Sequence, residues 1–327
     1  KGNKNYTRSY ILGKLKIKAN EKISYKHFTD GVNNIVATHN FDNFTYKLSS
    51  DSTTEEFDLY IEVVESEITT FLKLGIHYDD LYKSAALINI TKKRMLFNND
   101  VLSFDFILGD NVRYNFDYFI DKGFYWSLGV KSRYNSFHKD IGVSLILEEA
   151  EIIAQNLNKI NVDLSDLTNQ VYIQTLLNKD LALTLGAEHK RLKVTSETFI
   201  DSNFNEEKTT FENSDFFSVF GKLKFDSYNN KYFPTKGFLF ESDFHLYLSS
   251  SDFNNNFSQF SIAKVKMGYA FSLTHNLAVN IGSQGGFKIG EDSNNSLNFA
   301  LGGYGNNFIN NFTSFYGYDY ISIAGSG

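Results

Sequence analysis

The 327-residue chain has no cysteine, a single proline and a single tryptophan. Without thiols, neither a disulfide framework nor a thiolate metal site or nucleophile can form. No stretch approaches the roughly 18 to 20 consecutive apolar residues that a transmembrane helix requires, so the chain does not cross a membrane by helix. Positive charge is not in excess: the net charge is -6 and the Lys and Arg residues are scattered. That leaves no basic field for nucleic acid. What the chain does have is aromatic residues, 32 Phe and 20 Tyr in a 16 % aromatic share. Such residues favour strands, and the fold class reads as mainly β.

Residues 1 to 68 differ from the rest. A helical period runs through Phe28, Val32, Ile35 and Val36 with Ser24 as N-cap, and a weaker helix spans Thr7 to Leu15. Alternating runs follow in Phe44, Tyr46, Leu48 and in Phe57, Leu59, Ile61, Val63, joined by a Ser/Asp/Thr turn at 49 to 54. This is a small α+β domain. Residues 69 to 327 form a second region of successive strands. Leu102, Phe104, Phe106 and Leu108 oppose Ser103 and Asp105; Tyr114, Phe116, Tyr118 and Ile120 oppose Arg113, Asn115 and Asp117. The same alternation sets Phe217, Val219, Leu223 and Phe225 against Lys222 and Lys224, and Val265, Met267, Tyr269 and Phe271 against Lys264 and Lys266.

The reading yields eleven strands: 71–79, 83–92, 99–110, 111–120, 124–135, 168–179, 180–194, 214–227, 236–249, 257–273 and 276–288. A soluble sandwich would also alternate. The loops argue otherwise, because connections after even-numbered strands are mostly short while those after the fifth and seventh are long and polar. This asymmetry, with strands long enough to cross hydrocarbon when tilted, is that of an outer-membrane antiparallel β-barrel. Lipid cannot satisfy free backbone groups, and an odd strand count cannot close the cylinder. The chain opens at Lys1 in mid-pattern and stops at Gly327 in a Gly/Ser turn. Both ends read as cuts in a longer protein.

Two motifs carry a family resemblance. One is the turn Asp226-Ser-Tyr-Asn-Asn-Lys-Tyr-Phe-Pro-Thr-Lys-Gly237, with Asp226, Asn229, Phe233, Pro234 and Gly237 as its marks; the other is Phe315-Tyr316-Gly317-Tyr318-Asp319, in a Gly/Asn-rich loop. Together, behind a βα module, they resemble the outer-membrane-protein-85 superfamily of BamA-like, TamA-like and FhaC-like barrels. The resemblance implies that residues 1 to 68 are a periplasmic POTRA domain, marked by Gly2-Asn3, Gly31 to Ile35 and Phe41. It further implies a barrel of about sixteen strands, of which about eleven are present, truncated near a sixth extracellular loop that folds back inside with Phe315, Tyr316, Gly317 and Tyr318 at its tip. The family tip carries Arg where this chain has Tyr316. Segments Leu74 to Ser84 and Ile107 to Ile120 look like the C-terminal half of patatin-like phospholipases, which implies a serine hydrolase upstream of Lys1.

No catalytic site is legible in the chain itself. Patatin chemistry needs a G-x-S-x-G elbow, and Gly282-Ser-Gln-Gly-Gly286 has its glycines in the wrong frame on a strand. Those small residues more simply make room for something packed inside. His77, Asp79 and Asp80 read as solvated loop-end residues rather than metal ligands. Glu241, Asp243 and His245 share a strand face with a polar lumen wall that also takes Arg113, Asp117, Lys131, Arg133, Lys222 and Lys264. Glu148 to Lys159 reads as a short amphipathic helix capping the long loop, and Trp126 suits an interfacial girdle. No cofactor is expected. The expected partners are outer-membrane lipid, an upstream passenger domain of the same chain and, in homo-oligomers, further copies of it. The leading reading is a POTRA and barrel region that anchors or translocates a patatin-like lipid hydrolase; the rivals are a BamA-like assembly factor and a passive porin.

Overall fold

The computed structural model describes residues 1–50, 57–123, 125–142, 159–177, 180–197, 208–251, 257–290, 297–303 and 311–325. The expected Glu148–Lys159 helix lies outside them except for Lys159, which opens a strand.

In the N-terminal module, α1 (Arg8–Leu15) is capped by Thr7, whose hydroxyl accepts from the Tyr10 N–H at 3.2 Å, and α2 (Tyr25–Ala37) by Ser24, which accepts from the His27 N–H at 3.2 Å. Phe28 and Ile35 of the expected apolar stripe are buried, whereas Val36 is exposed. Gly31 takes the contact instead: a Cβ there would lie 2.3 Å from the Leu15 carbonyl oxygen, so glycine lets the helix backbones touch. Strands β1 (Phe41–Ser50) and β2 (Phe57–Glu65) pair antiparallel with Phe44 opposite Val63, Tyr46 opposite Ile61 and Leu48 opposite Leu59. The helices and strands enclose a core of Tyr6, Tyr10, Leu15, Phe28, Ile35 and Val63.

Eleven antiparallel strands follow, each hydrogen-bonded to its neighbours in the chain: β3 (Thr70–Asp79), β4 (Lys83–Lys93), β5 (Asp100–Gly109), β6 (Arg113–Ile120), β7 (Ser127–Gly142), β8 (Lys159–Leu176), β9 (Leu181–Ser196), β10 (Thr209–Asp226), β11 (Gly237–Ser250), β12 (Phe260–Thr274) and β13 (Leu277–Ile289). Among the described residues β3 and β13 are not joined, so the sheet is open. Three short strands, β14 (Phe299–Leu301), β15 (Phe312–Thr313) and β16 (Ile323–Gly325), form a separate small sheet.

Side chains alternate between two faces. Leu297, Ala300, Tyr320 and Ile321 pack on one, the covered face, and leave the other open. Strands β7 and β8 run further than the pattern suggests, with Ser136–Gly142 pairing with Lys159–Ser165. The reason is an inversion of polarity. Near the tight turns the open face is apolar (Leu128, Val130, Val171, Ile173) and the covered face polar (Lys131, Arg133, Gln170, Thr168); beyond Asn135 and Asp166 the covered face becomes apolar (Phe137, Ile141, Ile160, Val162) and the open face polar (Ser136, His138, Asp140, Asn161, Asp163). The alternation persists while its sign flips, so a search for one apolar face stops at the flip.

The module sits at the tight-turn end. Lys14 pairs with Asp121 in the β6–β7 turn, Lys16 lies 3.7 Å from Asp180 before β9, and the Lys93 ammonium donates to the Thr38 carbonyl at 2.6 Å. At Gly123 a Cβ would lie 2.8 Å from the Ser9 carbonyl oxygen.

Candidate functional site

The covered face places every lumen-facing residue expected from the sequence on one side of the sheet. Asp117 and Lys131 stand opposite each other and pair at 3.2 Å; Glu241 pairs with Lys224 at 2.6 Å; Asp243 pairs with Lys222 at 2.9 Å and stands opposite Lys264. Arg113 is buried under the β3–β4 turn, its guanidinium 3.6 Å from the centre of the Tyr82 ring. Asp79 holds that turn by accepting the Leu81 and Tyr82 N–H groups and contacts His77, which gives both residues a structural task.

The deepest charges were not singled out from the sequence. Lys190 on β9 and Asp166 on β8 pair at 3.2 Å with side chains 2 % and 1 % exposed, and Lys190 also donates to Thr168 at 2.9 Å. Glu188 accepts from Gln170 at 2.5 Å and lies 3.6 Å from His245, which in turn contacts Asp243 at 2.8 Å. Lone alternating polar residues signal which face they occupy but not which of them end up dry.

Above this charged layer the folded-back segment supplies an apolar lid. Leu297, Ala300, Tyr320 and Ile321 pack with Phe137, Ile160, Val162, Leu192, Phe216, Tyr247, Phe260 and Ile262. Gly286 gives the room expected of the small-residue run, since a Cβ there would come 2.4 Å from the Phe299 ring. The segment is tied down by Lys139 of β7, which donates to Asp319 at 2.8 Å and reaches over the Tyr320 ring at 5.7 Å. This hydrogen bond from the Lys139 ammonium, helped by the Tyr320 N–H, holds the Asp319 carboxyl below its ordinary range despite partial burial.

The tip residues themselves do not dock. Phe315, Tyr316 and Tyr318 are exposed, and the Phe315 and Tyr318 rings meet at a tilt across the turn with centres 5.2 Å apart. Gly317 has φ 89° with open space around it, so the turn needs its conformation and not its small size. The second motif is a stapled turn: the Asn229 side-chain oxygen accepts from the Thr235 and Lys236 N–H groups at 3.0 Å each, Asp226 accepts from the Tyr228 N–H at 3.2 Å, and Gly237 has φ 124°. Phe233 beside Pro234 is exposed at its end.

At the module, Glu65 accepts from the Lys4, Asn5 and Tyr6 N–H groups at 2.8 to 2.9 Å and faces Arg94 at 3.5 Å. Burial pushes its carboxyl up, but the three N–H donors outweigh that and hold it below the usual range.

Residues 57–327 match the family model described as the OMP85 superfamily. The chain belongs to that superfamily. OMP85 members are outer-membrane β-barrel proteins. Among solved structures, BamA from Haemophilus ducreyi lacking POTRA domains 1-3 superposes with a TM-score of 0.56 at 14 % identity, over 93 % of this chain and 57 % of that one. CdiB from Acinetobacter baumannii gives 0.52 at 12 % identity, over 98 % and 55 %, and CdiB from Escherichia coli 0.56 at 11 %, over 90 % and 54 %. At these identities the likeness is one of fold, and this OMP85 chain spans a little over half the length of those proteins. No curated protein matches it.

Proposed function

We propose that the eleven-stranded sheet is the wall of an outer-membrane barrel closed by further strands, with the covered face as its lumen. The module at the tight-turn end is then a periplasmic POTRA domain over residues 1–68, and 69–327 is the barrel region. The observation that carries this reading is the seating of Leu297, Ala300, Tyr320 and Ile321 over buried charge on one face while the other presents bare apolar side chains. A wall of that kind fits a gated translocator, in which the seated segment withdraws to let a polypeptide pass or emerge. Under this reading the passenger is a patatin-like lipid hydrolase preceding Lys1, which the barrel anchors or exports. Self-association in the membrane is compatible with the same wall. The likeness to BamA favours the second reading, an assembly factor that inserts other barrels. A passive porin fits less well, since its lumen would be open.

Intact mass and phospholipid hydrolysis by the native full-length protein test the passenger. A mass well above one module plus a complete barrel, with activity lost to a serine-directed inhibitor, supports the anchored hydrolase. Several extra small modules and no hydrolysis would favour the assembly factor instead.

A further inference from the structure

Polar side chains on a wall that faces lipid cost free energy unless they hydrogen-bond one another or reach headgroups. On the open face a continuous row does the first across five strands. The Tyr114 hydroxyl on β6 lies 3.1 Å from the Ser132 hydroxyl on β7, which donates to the Asn169 side-chain oxygen on β8 at 2.7 Å. The Asn169 amide nitrogen lies 3.3 Å from His189 Nδ1 on β9, and His189 Nε2 lies 2.9 Å from Asp215 on β10. Further along β9, exposed Arg191 reaches Asp215 only at 3.8 Å, and exposed Lys193 makes no ion pair among the described residues.

On the module side of this row, Val130, Val171, Ala187 and Val219 stand opposite one another in register. Ala187 is the short member, and around it lies an apolar hollow of about 460 Å³ bordered by Phe116, Val171, Phe217 and Leu248. The row lies three residues to the module side of Asn135 and Asp166, beyond which the two faces exchange polarity. His189 stands eight residues beyond Leu181. That is about 26 Å along a strand, or about 20 Å along the membrane normal at a tilt of about 40°. It places the row near the far edge of an apolar band about 25 Å tall.

We propose that the hollow and the row together bind one anionic lipid, with a phosphate headgroup, in the leaflet distal to the module. An acyl chain fills the hollow, the oxygens at the head of that chain meet Asn169 and His189, and the phosphate meets Arg191 and Lys193. The occupant must be amphipathic because Val130, Val171, Ala187 and Val219 lie below the row while Arg191, Lys193 and Asp215 lie above it. An anionic head is favoured because Arg191 and Lys193 face the single acid Asp215 at this end of the row among the described residues. This rests on the barrel reading above.

The full-length protein, reconstituted in phosphatidylcholine nanodiscs doped with phosphatidylglycerol, is examined by native mass spectrometry. Wild type should retain one phosphatidylglycerol in preference to phosphatidylcholine. Arg191→Ala/Lys193→Ala should reduce that preference at least five-fold, and Ala187→Trp should abolish retention, with unchanged mobility shifts on heating to report folding. Because Arg191 and Lys193 are surface residues, that double variant tests the site even where Ala187→Trp folds poorly. Equal preference in the double variant, or a wild type that carries no preferred lipid, would overturn the inference while leaving the barrel intact. Failure of the wild type itself to insert would overturn the barrel reading and this inference with it.

Discussion

Replacing Lys190 by Met should destabilise the folded protein by about 3 to 5 kcal/mol, the cost of leaving a buried charge without its partner. Lys190 and Asp166 are 2 % and 1 % exposed, and without the ammonium Asp166 keeps the Thr168 hydroxyl at 2.7 Å as its remaining close donor. In a water-filled lumen the same pair would be worth only about 0 to 1 kcal/mol. Removing both charges, as Lys190→Met/Asp166→Leu, should restore stability to within about 1 to 2 kcal/mol of wild type, because neither side chain then strands the other. Urea titration in lipid vesicles, with the folded fraction read by gel mobility without boiling, measures all three variants. A single-variant loss below about 1 kcal/mol, with no recovery in the double variant, would refute the claim that the covered face is dry.

Three other outcomes are expected. Phe104 lies on the open face of β5 beside Phe106 and Tyr114; Phe104→Arg should cost about 2 to 4 kcal/mol in the same titration if this face meets lipid near the midplane, and a neutral result would reverse the faces. Glu65→Gln should destabilise the module by about 2 kcal/mol above pH 5, through loss of the charge-assisted hydrogen bonds. Since the folded carboxyl is held below its unfolded value, its stabilisation is present above about pH 4.3 and is lost as pH falls through the folded value, so the gap between wild type and variant should close in strong acid. Asp319→Asn should loosen the seated segment and raise single-channel conductance in planar bilayers; because Lys139 depresses the Asp319 carboxyl, wild type should approach the variant's conductance only below about pH 4.

The strands were legible because a sheet with two unlike faces imposes strict alternation, as in Tyr114 to Ile120 against Arg113 to Phe119. The Ser24 cap of the second helix was legible from a local pattern, whereas Thr7, read as the first residue of its helix, caps that helix instead. What escaped was whatever depends on distance in the chain. The continuation of β7 through Phe137 and Ile141 was hidden because polarity flips where the open face leaves the apolar band. The Lys139–Asp319 tie joins residues 180 positions apart, and no local pattern announces it. Tyr316, standing where related tips carry Arg, pointed to a missing cation on the segment, but only the fold shows a cation on the wall meeting an acid on the segment. Glycines behaved similarly: Gly286 was legible as space for a neighbour, whereas Gly31 was hidden inside an apolar helical period.

The seating of residues 297–303 and 311–321 against the wall is the central claim, and residues 1–327 contain no cysteine to interfere with thiol cross-linking there. Lys139→Cys/Asp319→Cys, expressed in the full-length protein and treated with a short thiol-specific cross-linker in intact outer membranes, should give a linked product in the folded, heat-modifiable form and none in either single variant. A folded double variant whose two thiols are labelled freely and never linked would contradict it.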